Sequence, residues 1–481
     1  MRHLSGADAA FFCLERPGAP MESHAVVVLD PGTDSELGFA DIEATFAARL
    51  HRLPALRQRL RRVPFDLDHP FLEDCPDFLL DDHLHHVALP MPGDAVALSR
   101  FVSQVASRTL DPGRPLWEAW FAEGMPGGRK ALVMKVHHAL MDGVSGAAAL
   151  SVFLDTEAAP PKLPAPPPWE PEAACSDLSL LGNAVWRSSV LPSFTELPEL
   201  TGTFARALRY IGAAVGGDAG TDPARPFVAP DSQLGGPATP RRRVALLEAS
   251  LDELREIRTG FGTTINDVVL AATSRALRHY FIAHDMIPEG PLVAAVPIAI
   301  RDDDEMHEIN NRVSVLFVRL PVQIASIERQ LEMIHEETRQ AKELHRALGP
   351  RSLLEISQHL PPAVLRGGVE AYSLLTEGGT HHPLANLIVS NVPGPQIPFF
   401  MAGARVSGLF PLGPVLDGLS INLTVMGIGD RLNLGVITCR DVLADPATLA
   451  EGFASGIAAL RRKIPQARAA KGAAAHGAAS P

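Results

Sequence analysis

The sequence predicts an α/β protein made of two similar-sized mixed-sheet halves joined by a proline-rich crossover. Strand-like and helix-like periodicities alternate along both halves. Seven prolines between Pro160 and Pro171 separate them as a stiff, extended connector. The composition, 46% hydrophobic and 20% charged over 481 residues, suits large packed cores and excludes a disordered chain.

Taken in order, the first half, residues 1–158, opens with a strand at His24–Asp30 and an amphipathic helix over Asp41–Leu60. A second apolar strand at Ala131–Val136 leads to a small-residue helix at Val144–Leu154. The crossover, residues 159–240, holds the proline run, helical segments over about 176–215 and a loose Gly/Pro-rich stretch. The second half, residues 241–465, starts with a strand at Val244–Ala249 and helices at Leu251–Thr259 and Ile265–Phe281. Strands at Leu292–Ile300 and Val313–Leu320 precede a long charged helix, Ser326–Leu348. Strands at Leu387–Ser390, Ser420–Met426 and Leu432–Thr438 and a helix at Pro446–Lys463 complete it. Residues 466–481 (QARAAKGAAAHGAASP) carry no core-forming pattern and read as a disordered tail. Clefts between two such halves are common ligand sites.

Several function classes drop out on composition. With 43 basic against 55 acidic residues the net charge is −12, which disfavours nucleic acid as a partner. Cys13, Cys75, Cys175 and Cys439 form no CxxC pair, so neither a disulfide scaffold nor a metal site is expected, and a reducing cytosol is the default. The amino terminus has acids inside its would-be apolar core, unlike a secretory signal. No run of about 18 uncharged apolar residues offers a spanning helix. The mean hydropathy of +0.09 is high for a soluble or peripheral protein and points toward an apolar ligand.

The sharpest chemical signal is Lys135-Val-His137-His138-Ala-Leu-Met-Asp142-Gly143. Two histidines end an apolar strand, and an acid and a glycine follow at a helix start. Adjacent side chains on a strand point to opposite faces, so only one histidine can enter a given channel. Gly143 permits a tight strand-to-helix turn, and Asp142 can cap the helix or ion-pair to hold the loop. A neutral histidine so held has the basicity to take a proton from a hydroxyl near pH 7.

This HHxxxDG segment resembles the active-site motif of the bacterial wax ester synthase/acyl-CoA:diacylglycerol acyltransferase family. That family is similar in turn to chloramphenicol acetyltransferase, the carnitine acyltransferases and peptide-synthetase condensation domains. Further segments carry the resemblance from about residue 3 to residue 460: LSGADAAFF, Pro115-Leu116-Trp117, Asn266-Asp267, Ser390-Asn391-Val-Pro-Gly-Pro395 and Ile421-Asn-Leu-Thr-Val425. The chain departs from the family at Gly427-Ile428, at Ala299 within VPIAIR, and around Met21-Glu-Ser-His-Ala-Val26.

The resemblance implies two chloramphenicol-acetyltransferase-like domains with an active site in a tunnel between them. It implies transfer of a long-chain acyl group from acyl-CoA, as co-substrate and with no cofactor or metal, to diacylglycerol or a long-chain alcohol. The products are triacylglycerol or wax ester. His138 would be the general base in a direct attack, with no acyl-enzyme, since GxSxG is absent. His137 would order the site and Asp142 would hold the loop, paired with Arg301 as in the superfamily's Asp–Arg bridge. Ser390 and Asn391 are oxyanion candidates, against a reading in which Asn391 only caps a turn. The resemblance also implies a cytoplasmic protein, peripheral to the inner membrane or lipid droplets. The rival readings are a same-fold enzyme for a small or polyketide acceptor and a non-catalytic lipid-droplet-binding protein.

Other groups have plain alternatives. Thr264-x-x-Asp267 before an apolar run is a capping box variant, so Asn266 and Asp267 read as structural as readily as functional. Pro115-Leu116-Trp117 reads as a packed turn beside the active-site strand. Asp81-Asp-His83-Leu-His85-His86 offers metal-ligand types but fits a half-exposed strand. His381-His382 has no partner that sequence can name. The 176–215 helices could lie on a lipid surface or simply pack. Arg241-Arg242-Arg243 is a visible cation cluster for an anionic CoA.

Overall fold

The computed structural model describes residues 1–32, 36–140, 143–160, 164–189, 229–299, 313–348, 383–395 and 397–477, with a few isolated positions between 224 and 370. Asp142, Arg301, His381, His382 and most of the 176–215 helical segment lie outside the described residues.

Two six-stranded sheets dominate. The first runs Phe400–Met401, Ala404–Leu412, Glu22–Asp30, Lys130–His137, Trp117–Glu123, Leu84–Ala88 across its width. The second runs Val313–Leu320, Leu292–Ala299, Leu387–Val392, Ile421–Ile428, Arg431–Cys439, Arg242–Ser250. Both are mixed: Leu84–Ala88 lies parallel to Trp117–Glu123, and Leu387–Val392 is parallel to both neighbours. A small third sheet joins Arg2–His3, Phe71–Asp74 and Gln58–Arg61.

The strands form where branched apolar residues run together. Val26–Leu29 is buried on both faces because a helix packs on one side and the inter-sheet space lies on the other. The second sheet is covered by the helices Leu251–Phe261, Ile265–Ala283, Ile327–Leu348 and Pro446–Gly477, whose inward stripes build one large core. Helix Leu251–Phe261 starts on the Ser250 hydroxyl and stops at Gly262, which takes φ +72°.

The strand Ala404–Leu412 belongs to the second half by sequence but hydrogen-bonds into the first sheet against Glu22–Asp30. It crosses the second sheet on the way. A Cβ at Gly435 would sit 2.1 Å from the Pro411 carbonyl oxygen, so only glycine lets the two backbones pass. In the other direction, the edge strand Arg242–Ser250 donates its outward N–H groups to first-half serines. Val244 N–H reaches Ser103 Oγ and Arg242 N–H reaches Ser107 Oγ, each at 2.9 Å, so helix Ala95–Ala106 caps that sheet edge. The halves are therefore interlocked.

Three sequence expectations shift. The helix expected over Asp41–Leu60 is Phe39–Arg49, then two short 3-10 turns and the strand Gln58–Arg61. Pro54 disfavours helical backbone at Leu53, which takes φ −124°, ψ 76°. The last helix continues beyond Lys463 to Gly477, through the alanine-rich stretch read as disordered; alanine is the strongest helix former. The helices Gly6–Leu14 and Ala95–Ala106 and the strands Trp117–Glu123 and Ala404–Leu412 appear where no element was expected.

Candidate active site

The strand Lys130–His137 ends at the histidine pair, and alternation sends the two rings to opposite faces. Met134, Val136 and His138 face a cavity between the sheets. The backbone N–H of His138 donates to the Met21 carbonyl at 2.7 Å, which prolongs the pairing with strand Glu22–Asp30 and fixes the ring's root. The His138 Nδ1 lies 2.7 Å from Ser23 Oγ.

His137 is buried on the other side. Its Nδ1 accepts the Ala139 N–H at 3.1 Å, so the neutral ring carries its proton on Nε2, 3.5 Å from Glu15 Oε1. Burial alone would raise the Glu15 carboxyl. His137, the Met21 backbone N–H and Arg62 outweigh it and hold the group below the usual carboxylate range. The His137 backbone N–H donates to the Leu116 carbonyl at 3.0 Å. His137 thus braces the turn that presents its neighbour.

Two consecutive phenylalanines clamp the two histidines. Helix Gly6–Leu14, capped by Ser5, sets Phe11 edge-on to His138 with centroids 4.5 Å apart. Phe12 stacks on His137 at 4.2 Å and 9°. This gives the LSGADAAFF block a physical role, and the helical spacing that could have revealed it is only nine residues long.

The cavity has a volume of about 480 Å³, within the ~300–1,000 Å³ range of small-molecule sites. Phe11, Ala25, Met134 and Val136 line it from the first half; Ala295, Phe317, Ile388 and Met426 line it from the second. Among the described residues its polar side chains are few: Ser23, His24, His138, Ser390, Asn422 and Thr424. Burial holds the His24 imidazole well below its ordinary value, so it is neutral.

Of the two oxyanion candidates, Ser390 faces the cavity with Ile388 and Val392, whereas Asn391 falls on the opposite side of the strand. The alternation that separates them was readable from sequence. It also places Asn422 and Thr424 at the cavity, between core residues Ile421, Leu423 and Val425. Asn422 donates to the Pro414 carbonyl and accepts from Thr424 Oγ1, at 2.9 and 2.8 Å. A polar residue at every second place in an apolar strand was the missed signal. After the strand, Gly394 packs so close to Gly427 that a Cβ would lie 2.0 Å from its carbonyl oxygen.

The remaining motif residues have packing roles. Trp117 is fully buried, donates from Nε1 to the Leu56 carbonyl at 2.7 Å and stacks with His83. Leu116 is buried beside it, and the Trp117 N–H closes a turn on the Pro115 carbonyl. Neither these residues nor Asn266 and Asp267 line the cavity. Asp267 is buried and accepts from the Thr264 N–H, from Thr338 Oγ1 and from His335 Nδ1, at 2.9, 2.7 and 2.8 Å. It caps one helix and pins it to Ile327–Leu348. Asp267→Ala is expected to lose about 2–4 kcal/mol, read as a lower urea midpoint with kcat/KM per folded molecule unchanged.

The other histidines and arginines are dispersed. His83 bonds to the Trp117 carbonyl and His86 stacks on Phe39, so they do not converge. Among the described residues no three potential metal ligands come together. Two members of the cation cluster are committed to structure: Arg242 is buried and bonds to the Gly18 carbonyl, and Arg241 pairs with Asp441. CoA is thus not met by a free Arg241–Arg243 triplet.

The chain is similar to known proteins along most of its length. A family model described as the wax ester synthase/diacylglycerol acyltransferase catalytic domain matches residues 4–269, and one described as the WS/DGAT C-terminal domain matches residues 309–461. Rv1760 of Mycobacterium tuberculosis, named provisionally as a diacylglycerol O-acyltransferase, is 33% identical over 94% of this chain and 89% of its own length. The O-acyltransferase WSD of Acinetobacter baylyi is 30% identical, covering 92% of this chain and 93% of its own. The solved wax ester synthase/diacylglycerol acyltransferase of Marinobacter aquaeolei VT8 superposes with a TM-score of 0.71 at 25% identity, over 97% of this chain and 100% of that one. A condensation domain of the calcium-dependent antibiotic synthetase shares the fold, with a TM-score of 0.57 at 17% identity and 96% of each chain covered.

Proposed function

Because the chain belongs to the wax ester synthase/diacylglycerol acyltransferase family, we propose that it transfers a long-chain acyl group from acyl-CoA to the hydroxyl of diacylglycerol or of a long-chain alcohol. The observation that carries this reading is His138, turned with its strand neighbours Met134 and Val136 into an apolar cavity shared by the two sheets. An acyl chain is favoured there by roughly 0.8 kcal/mol per buried methylene. Among the described residues a small hydrophilic acceptor would find six polar side chains and otherwise hydrocarbon.

In this mechanism His138 takes the proton of the acceptor hydroxyl as its oxygen attacks the thioester carbonyl. The oxyanion so formed accepts a hydrogen bond from the Ser390 hydroxyl. Collapse breaks the C–S bond, and the proton passes from His138 to the departing CoA thiolate. His137 holds the turn that presents His138. The acceptor is collected from the cytoplasmic surface of a membrane or lipid droplet, with which the protein makes peripheral contact. No described helix is long and apolar enough to cross a membrane.

The test is a labelled palmitoyl-CoA assay offering diacylglycerol and hexadecanol separately. Ester from either supports the reading, and the better acceptor defines the enzyme. Free CoA release without either ester would reject it.

A further inference from the structure

We propose that Ser23 is a positioning residue that sets the tautomer of His138. This inference rests on the reading of His138 as the base. Ser23 lies in the strand Glu22–Asp30 directly opposite Val136, so its Cβ is held by the same ladder that carries the histidine pair. Its hydroxyl oxygen is 2.7 Å from His138 Nδ1. Phe11 packs against the same ring at a near-perpendicular angle.

A neutral imidazole has one N–H and one lone pair. Proton abstraction through Nε2 needs the lone pair there and the hydrogen on Nδ1. Ser23 Oγ, with two lone pairs, accepts that Nδ1–H and so selects the productive form. When His138 gains the acceptor's proton, the same bond becomes charge-assisted and stabilises the imidazolium. Ser23 therefore holds the ring before the proton arrives and supports its charge afterwards, without touching substrate.

Neighbouring titratable groups among the described residues are engaged elsewhere or uncharged. Glu15 is engaged with His137 at the end of helix Gly6–Leu14. Glu22 and Lys135 pair with each other behind the strands, 2.9 Å apart. His24 is neutral. Among the described residues the second sheet contributes no titratable side chain to the cavity lining.

The experiment compares full-length wild type, Ser23→Ala, Ser23→Thr, Ser23→Cys and His138→Ala with palmitoyl-CoA and hexadecanol across pH 5–9, with thermal unfolding in parallel. Ser23→Ala is expected to lower kcat about tenfold, the rate equivalent of one ordinary hydrogen bond, with KM for acyl-CoA unchanged. Loss of the oxygen removes support for the cation, so the His138 pKa falls. The limb of kcat/KM that rises with pH should move to lower pH by about half a unit to one unit. Ser23→Thr should restore rate and profile; Ser23→Cys, a weak acceptor, should fall between, and serves if the alanine variant unfolds. If His138→Ala is inactive while the folded Ser23 variants keep the wild-type rate and profile, the positioning role is wrong and the base survives. An acyl ester on Ser23 after incubation with acyl-CoA alone would make it a nucleophile and overturn the proposal. Full activity of His138→Ala would overturn the base itself, and this proposal with it.

Discussion

Replacing His138 with alanine is expected to lower the acyl-transfer rate by about 10²–10⁴-fold, the usual contribution of a general base. The unfolding midpoint should move little. The ring lines a cavity, and among its contacts its removal gives up the hydrogen bond to Ser23 and the edge contact with Phe11. Single-turnover measurement with saturating palmitoyl-CoA isolates the chemical step from product release. His137→Ala makes the contrast. Its ring is stacked on Phe12 and bonded to Ala139 N–H, so truncation opens a hole in the core and should lower stability together with rate. A His138→Ala enzyme within tenfold of wild type would remove this histidine from the chemistry.

The second large effect concerns Lys135, which is fully buried two residues before the histidine pair. Its ammonium pairs with Glu22 and donates to the Val105 and Arg108 carbonyls, closing the end of helix Ala95–Ala106. Glu22 in turn accepts the Leu110 N–H at 2.6 Å. Burial pushes the Glu22 carboxyl up, and the Lys135 charge pulls it back. Lys135→Met leaves that carboxylate buried without its cation and is expected to cost about 3–5 kcal/mol. Urea melts of the full-length protein would read it. The double variant Lys135→Met/Glu22→Leu should recover most of the loss, since two hydrocarbons of similar size carry no stranded charge. An unchanged midpoint in the single variant would show that water reaches the pair.

Much of this architecture was legible before any coordinates. The strands Val244–Ala249, Val313–Leu320 and Leu432–Thr438 are runs of branched apolar residues, and all three lie within strands of the second sheet. The histidine pair announced itself because HH followed by an acid and a glycine is a rare arrangement after a strand. What stayed hidden has physical reasons. Ala404–Leu412 contains Gly408 and Pro411 and carries a register shift between Val406 and Gly408, so its alternation is broken where it would have been read. Helix Ala95–Ala106 carries Ser103 within it and Ser107 just past its end, which look polar in sequence and serve as acceptors for another strand's edge. Ser23 was invisible for a different reason. Its partner lies 115 residues away, and no local period links a strand serine to a histidine across a ladder.

The crossing strand has a consequence for how the chain is made. Glu22–Asp30 lies between Lys130–His137 and Ala404–Leu412, and the second neighbour leaves the ribosome some 370 residues after the first strand. At about 5–20 residues per second, that is a delay of roughly 20–75 s. Throughout it, the strand carrying Ser23 is an apolar edge with open backbone groups, the kind of template that captures other chains. The nascent first half therefore needs shielding until its distant strand arrives, and a fragment cut at the proline-rich crossover should aggregate when expressed alone. Supplying residues 229–477 in trans would provide the missing strand and should keep it in solution.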